Sequence, residues 1–123
     1  MAASRASFEA MVREALAQVP AEFQPYLENV PVLIEDEPDP ALLRSLDVPE
    51  DEGLYGLYTG IPLPGRPYDP TGLPDRIILY RACLEEDFPD PADLRREILI
   101  TVVHEIAHHF GIGEERLEEL GLG

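Results

Sequence analysis

The chain has 123 residues, 45% of them hydrophobic, and a formal net charge of −16. That length fits one domain, residues 1–123, with room for a real core. All nine basic residues are arginine, and so acidic a surface repels phosphate backbones, which excludes nucleic acid as an expected partner.

In chain order, Ser7 to Val19 reads as an amphipathic helix with Ser7 as its N-cap and Pro20 as its stop. Phe8, Met11, Val12, Ala15, Leu16 and Val19 fall on one face and are expected in the core. Glu22 to Glu28 is a short second helix or turn with Phe23, Tyr26 and Leu27 inward. Val30 to Glu35 is rich in β-formers, and Pro31 confines it to a strand start or a sheet edge. The acidic, proline-rich Glu35–Pro40 is a loop, followed by one or two helical turns over Pro40–Leu46 and another loop over Val48–Gly53.

Leu54 to Ile61 reads as a strand in which Gly56 and Gly60 mark a bulge or a close backbone approach. Pro62 to Pro74 is a turn-rich loop where a substrate could enter. Asp75 to Arg81 is the cleanest strand, with Ile77, Leu79 and Arg81 on one face and Arg76, Ile78 and Tyr80 on the other. Cys83 is the single cysteine, so no intrachain disulfide can form; in its apolar run it reads as a buried small hydrophobe. Asp90 and Pro91 are the N-cap and first residue of a long helix running to about Phe110, and Glu114 to Leu120 is a short closing helix. No internal repeat or low-complexity tract is present. No run reaches the ~20 apolar residues that span a bilayer, and the N-terminus has no apolar leader, so a cytoplasmic protein without a membrane partner is expected.

The long helix carries the chemistry. His104 and His108 are four apart, which places both imidazoles on one helix face, within reach of one metal ion at ~2.0–2.1 Å per Zn–N bond. Glu105 lies roughly 100° round from His104, beside that face, where it can deprotonate a water without ligating. This is the H-E-x-x-H arrangement of a zinc metalloprotease, with the glutamate as general base. The apolar Glu97–Val103 stretch and the compact Ile106–Ala107 pair support a buried helix. Gly111 stands where such a helix would end on a left-handed residue and turn the chain back toward the metal face. Glu114 comes ten residues after His104.

His104-Glu105-x-x-His108-x-x-Gly111-x-x-Glu114, with Thr101-Val102-Val103 before it and Glu115-Arg116-Leu117-x-x-Leu120-Gly121 after it, resembles the minimal zincins, a short bacterial zincin-like family of neutral metallopeptidases. The resemblance extends over most of the chain and is most specific at Asp75–Arg81 and Arg95–Gly121. It implies peptidase activity and an α+β zincin-like fold: N-terminal helices, and a small sheet packed on the long motif helix. In that plan a strand edge, from Leu54–Ile61 or from Asp75–Arg81, lies over the helix and pairs with an extended peptide. The family usually carries Asp where this chain has Glu114, so the longer side chain must approach the ion differently.

A catalytic zinc takes three protein ligands. A glutamate on a distant second helix has little room in the short stretch after His108, and a third histidine six residues on is excluded because position 114 is Glu. His109 points roughly 100° away from His108 and suits a bond to a carboxylate or to the helix end. Glu114, Glu115, Glu118 or an upstream residue remain, and Glu114, just past the turn glycine, is the expected third ligand. The expected roles are therefore Zn2+ on His104, His108 and Glu114, and Glu105 as the proton carrier in hydrolysis of a peptide or unfolded-protein substrate. Tyr55, Tyr58, Tyr80 and Arg81 are candidates to stabilise the oxyanion. The alternatives are a catalytically silent zincin-fold module for metal or protein binding, a plain pair of helix histidines, and a metal-dependent ribonuclease. Glu105 and the −16 charge oppose the last of these.

Overall fold

The structure, a computed structural model, describes residues 5–28, 30–45, 54–59 and 76–122. Helices α1 (Arg5–Ala17) and α2 (Gln24–Leu27) precede strand β1 (Val32–Glu35), helix α3 (Pro40–Ser45) and strands β2 (Gly56–Thr59) and β3 (Arg76–Tyr80). Helices α4 (Arg81–Asp87), α5 (Pro91–Phe110) and α6 (Glu114–Glu119) complete the chain. The result is the expected α+β arrangement. The expected loops at Val48–Gly53 and Pro62–Pro74, and the residues Leu46, Gly60, Ile61 and Asp75, lie outside the described residues. Among the described residues no helix is long and apolar enough to cross a membrane.

The sheet order is β1-β3-β2, with β1 parallel and β2 antiparallel to β3. Pro31 sits immediately before β1, where its missing N–H costs nothing, and its carbonyl accepts from the Ile77 N–H at 3.0 Å. The central strand is buried on both faces, from Ile77 at 0% exposure to Tyr80 at 2%. Of the two strands left open as the edge over the motif helix, β2 takes that place and β3 is interior.

Helix α5 is fixed at both ends by local chemistry. Asp90 accepts from the Ala92 and Asp93 N–H groups, Pro91 opens the first turn, and Gly111 closes the last at φ +71°. Its apolar face (Ile98, Val102, Val103, Ile106, Ala107) is fully buried against Phe8 and Val12 of α1 and against Ile77 and Leu79 of β3. Burial of each such large side chain contributes about 1.5–3 kcal/mol. On α1, Phe8, Val12 and Ala15 are buried as expected, with Val19 just beyond it, while Met11 and Leu16 pack at the core's rim.

Three local readings change. Helix α1 begins at Arg5, so Ser7 lies exposed inside its first turn and not at the N-cap position; Ala6, a strong helix former, carries the helix back. The chain leaves β3 at Tyr80, and Arg81 opens α4, where its Nε pairs with Glu85 one turn on at 2.8 Å. Cys83 in α4 is half-exposed, not buried, because Leu84 takes the core-facing position of that turn.

Gly56 marks a close approach. A Cβ there would sit 2.7 Å from Thr101 Cγ2 of α5 and 3.2 Å from the Ile78 carbonyl. Gly56→Ala should push β2 off the helix and destabilise the protein by about 1–3 kcal/mol in chemical denaturation; a change within about 0.5 kcal/mol would contradict this packing. Just before β2, the Tyr55 hydroxyl donates to Asp87 of α4, which pushes its pKa up to about 12. A raised folded-state pKa means that this stability is fully present below pH ~10 and is lost as pH climbs through about 12. Tyr55→Phe should therefore flatten the alkaline limb of the stability curve over that window, as read by thermal melts.

Candidate metal centre

The less buried side of α5 presents His104 and His108, with Glu105 beside them toward β2. Gly111 turns the chain, the Ile112 N–H returns to the Ala107 carbonyl at 2.8 Å, and α6 starts two residues later with Glu114 as its first residue. That turn carries Glu114 back to the histidines. One ligand atom each from His104, His108 and Glu114 lie within 4.8 Å of one another. His108 Nε2 stands 3.8 Å from Glu114 Oε1, and the two imidazole rings are 6.1 Å apart at 80°. Two imidazoles and one carboxylate form a donor set suited to a zinc ion that keeps an open position. The longer Glu114 reaches the cluster because it leaves the first turn of α6, next to the glycine turn.

Glu105 stands beside this cluster, with its side chain 21% exposed. Its Oε1 accepts from the backbone N–H of Tyr58 on β2 at 2.8 Å, and its Oε2 lies 3.9 Å from His108 Nδ1. Burial pushes its pKa up, against the opposing pull of the Tyr58 N–H and of the two histidines. Desolvation wins, so the group holds a proton more readily than an ordinary glutamate.

Helix α5 meets two further groups that the sequence did not announce. The Tyr58 ring stacks on His109 with centroids 3.9 Å apart and planes 16° from parallel. His109 is thereby an aromatic seat for the edge strand, with Phe110 beside it at 4.9 Å. On the other side, His104 Nε2 lies 2.7 Å from the Leu122 carbonyl oxygen. The glycine-marked strand was the only sequence signal for the first contact, and none foretold the second.

The other oxyanion candidates are engaged elsewhere. The Tyr55 hydroxyl is bound to Asp87, Tyr80 is buried at 2% exposure, and Arg81 pairs with Glu85 and, at 3.8 Å, with Asp36. Of the four candidates it is Tyr58 that reaches the site, and through its main chain.

The fold and this His-His-Glu cluster define a zincin-type protein. The chain matches the zincin-like metallopeptidase family over residues 27–123 and belongs to it. Its fold is similar to that of a solved structure, a conserved hypothetical protein from Thermo thermophilus, with a TM-score of 0.60 at 24% identity over 88% of this chain and 94% of that one. No curated protein matches the chain.

Zinc titration tests the ligand set. Protein saturated with zinc and desalted should retain about one ion per chain, His104→Ala should retain none, and Glu114→Ala should bind more weakly. Equal zinc retention by all three would remove these residues from the site.

Proposed function

We propose that the protein is a zinc-dependent peptidase in which His104, His108 and Glu114 hold the ion and Glu105 is the general base. The observation that carries this reading is the placement of Glu105 between the histidine face and the edge strand, with one oxygen held by Tyr58 and the other turned toward His108. When bound, zinc supplies Lewis acidity to a carbonyl and lowers the pKa of a water toward ~7.

The chain's own residues supply the rest. Fixing Oε1 on the Tyr58 N–H orients the carboxylate, so that Oε2 is the oxygen that accepts a proton from the attacking water and returns it to the leaving amine. Partial burial suits Glu105 to that task, since desolvation raises its pKa and makes the carboxylate a readier proton acceptor than an exposed glutamate. The Tyr58–Glu105 bond means that the outer edge of β2 faces the carboxylate, so an extended peptide laid along that strand brings its carbonyl toward the cluster. The histidine and glutamate side chains are open to solvent, His108 at 64% and Glu114 at 62%, which suits small or unfolded peptides better than folded proteins.

The same contact favours one alternative, a silent zincin-fold module, because a base with one oxygen already bonded is partly committed. Glu105→Gln separates the two. With a fluorogenic peptide library and zinc-loaded protein, the substitution should lower cleavage by about 10²–10⁴-fold while zinc content is unchanged. Cleavage that survives Glu105→Gln would refute the mechanism, and no cleavage by the zinc-loaded wild type would favour the module.

A further inference from the structure

The turn that delivers Glu114 is touched at both ends by one corner of the chain, the connection between α1 and α2. Before the turn, the Tyr26 ring of α2 packs on Phe110, the last residue of α5, with centroids 4.5 Å apart and planes 34° from parallel. After it, the Arg116 guanidinium of α6 takes the Glu22 carboxylate with two nitrogens: Nε donates to Oε2 at 2.9 Å, and Nη2 donates to Oε1. Arg116 Nη1 also donates to Glu119 at 2.7 Å. Glu22 and Arg116 are 94 residues apart in the chain, so this fork is a tertiary link between the N-terminal helices and α6.

The corner is itself well held. Gln24 Nε2 donates to the Val19 carbonyl at 2.9 Å and to the Leu16 carbonyl at 3.3 Å, and the Phe23 N–H returns to the Pro20 carbonyl at 2.8 Å. Phe23 is fully buried, and Tyr26 leans on it with ring centroids 6.4 Å apart. Helix α6, by contrast, has six residues, and Gly113 at its N-cap offers no side-chain bond to the first turn. Isolated helices shorter than about 12–15 residues are marginal in water, so the placement of α6 comes from what it is attached to. The Glu114 side chain is 62% exposed and goes where the first turn of α6 takes it.

We infer that the Glu22–Tyr26 corner is a clamp that positions the third metal ligand: Tyr26 on Phe110 and Glu22 on Arg116 fix the two ends of the glycine turn, so that Glu114 arrives beside His108. Glu22, Tyr26 and Arg116 are positioning residues. This rests on the reading of Glu114 as a zinc ligand. Glu22 and Tyr26 precede residue 27, where the family match starts, so the clamp joins the matched span to the helices before it.

The test is zinc Kd by chelator competition for Glu22→Ala, Tyr26→Leu and Arg116→Ala, each in the wild-type chain and in Glu114→Ala. In the wild-type chain each should raise Kd by about three- to fivefold, the size that a good exposed ion pair or an aromatic contact supports. Arg116→Ala is the sharpest of the three. It makes an acidic surface more acidic, which by charge alone would tighten a cation, whereas loss of the clamp weakens it. In Glu114→Ala all three should change Kd by less than about 1.5-fold, because the ligand that the clamp serves is gone. A corner that acted only on stability would lower the melting temperature and leave the zinc Kd of the folded protein where it was. Unchanged Kd in the wild-type chain, tighter zinc in Arg116→Ala, or an equal rise in the Glu114→Ala background would overturn the clamp while leaving the zinc site intact. A wild type that binds no zinc would overturn the metal reading itself, and the clamp with it.

Discussion

The burial of one face of α5 is the constraint on which the remaining geometry depends. Val102, Val103, Ile106 and Ala107 are all at 0% exposure, and they interleave with His104, Glu105 and His108. A helix so seated cannot rotate without exposing several of these side chains, at about 1.5–3 kcal/mol for each large one. The orientation of the polar face is thus set by packing on α1 and β3, before any polar contact at the site is made. The caps at Asp90 and Gly111 fix where the helix starts and stops, and hence which residue leaves the turn as Glu114.

Against that fixed helix, two main-chain groups arrive from opposite sides. Tyr58 brings its N–H from the edge strand to Glu105, and Leu122 brings its carbonyl from the turn after α6 to His104. Each approach has its own anchor. Gly56 lets β2 lie within van der Waals reach of Thr101, and the ring of Tyr58 rests on His109. Leu122 is seated on Leu117. The site is therefore joined to the sheet and to the terminal helical hairpin as well as to its own helix.

The parts legible from sequence were those written locally. The Asp90-Pro91 start, the left-handed Gly111 and the spacing of His104, Glu105, His108 and Glu114 lie within one stretch of chain, so helix periodicity and turn chemistry were enough to bring the cluster together on paper. Gly56 was also readable, as a strand glycine at a close approach. Where two local signals competed, the reading slipped: β-rich alternation seemed to continue through Arg81, but the Arg81–Glu85 pair belongs to a helix, and α4 begins there. The contacts of His109 and Leu122 were illegible for a different reason. Tyr58 lies far back in the chain from His109, and a carbonyl leaves no residue type to recognise, so neither contact has a signature at the histidine itself.

That the two supports are main-chain groups links metal and fold in both directions. A side-chain support can be lost by one substitution while the backbone stays put; a backbone support is lost only when its strand or turn moves. Here β2 and the turn at Gly121 each bring one main-chain group to the motif helix. Conversely, a ligand that binds only the assembled site stabilises the native state by RT ln(1 + [L]/Kd), about 2.7 kcal/mol at a hundredfold excess over Kd. That amount is a substantial fraction of the ~5–15 kcal/mol that holds an ordinary domain together. In a domain whose site joins the edge strand, the motif helix and the terminal turn, this energy is distributed over all three, so zinc binding would report on the integrity of the fold as directly as on the identity of its ligands.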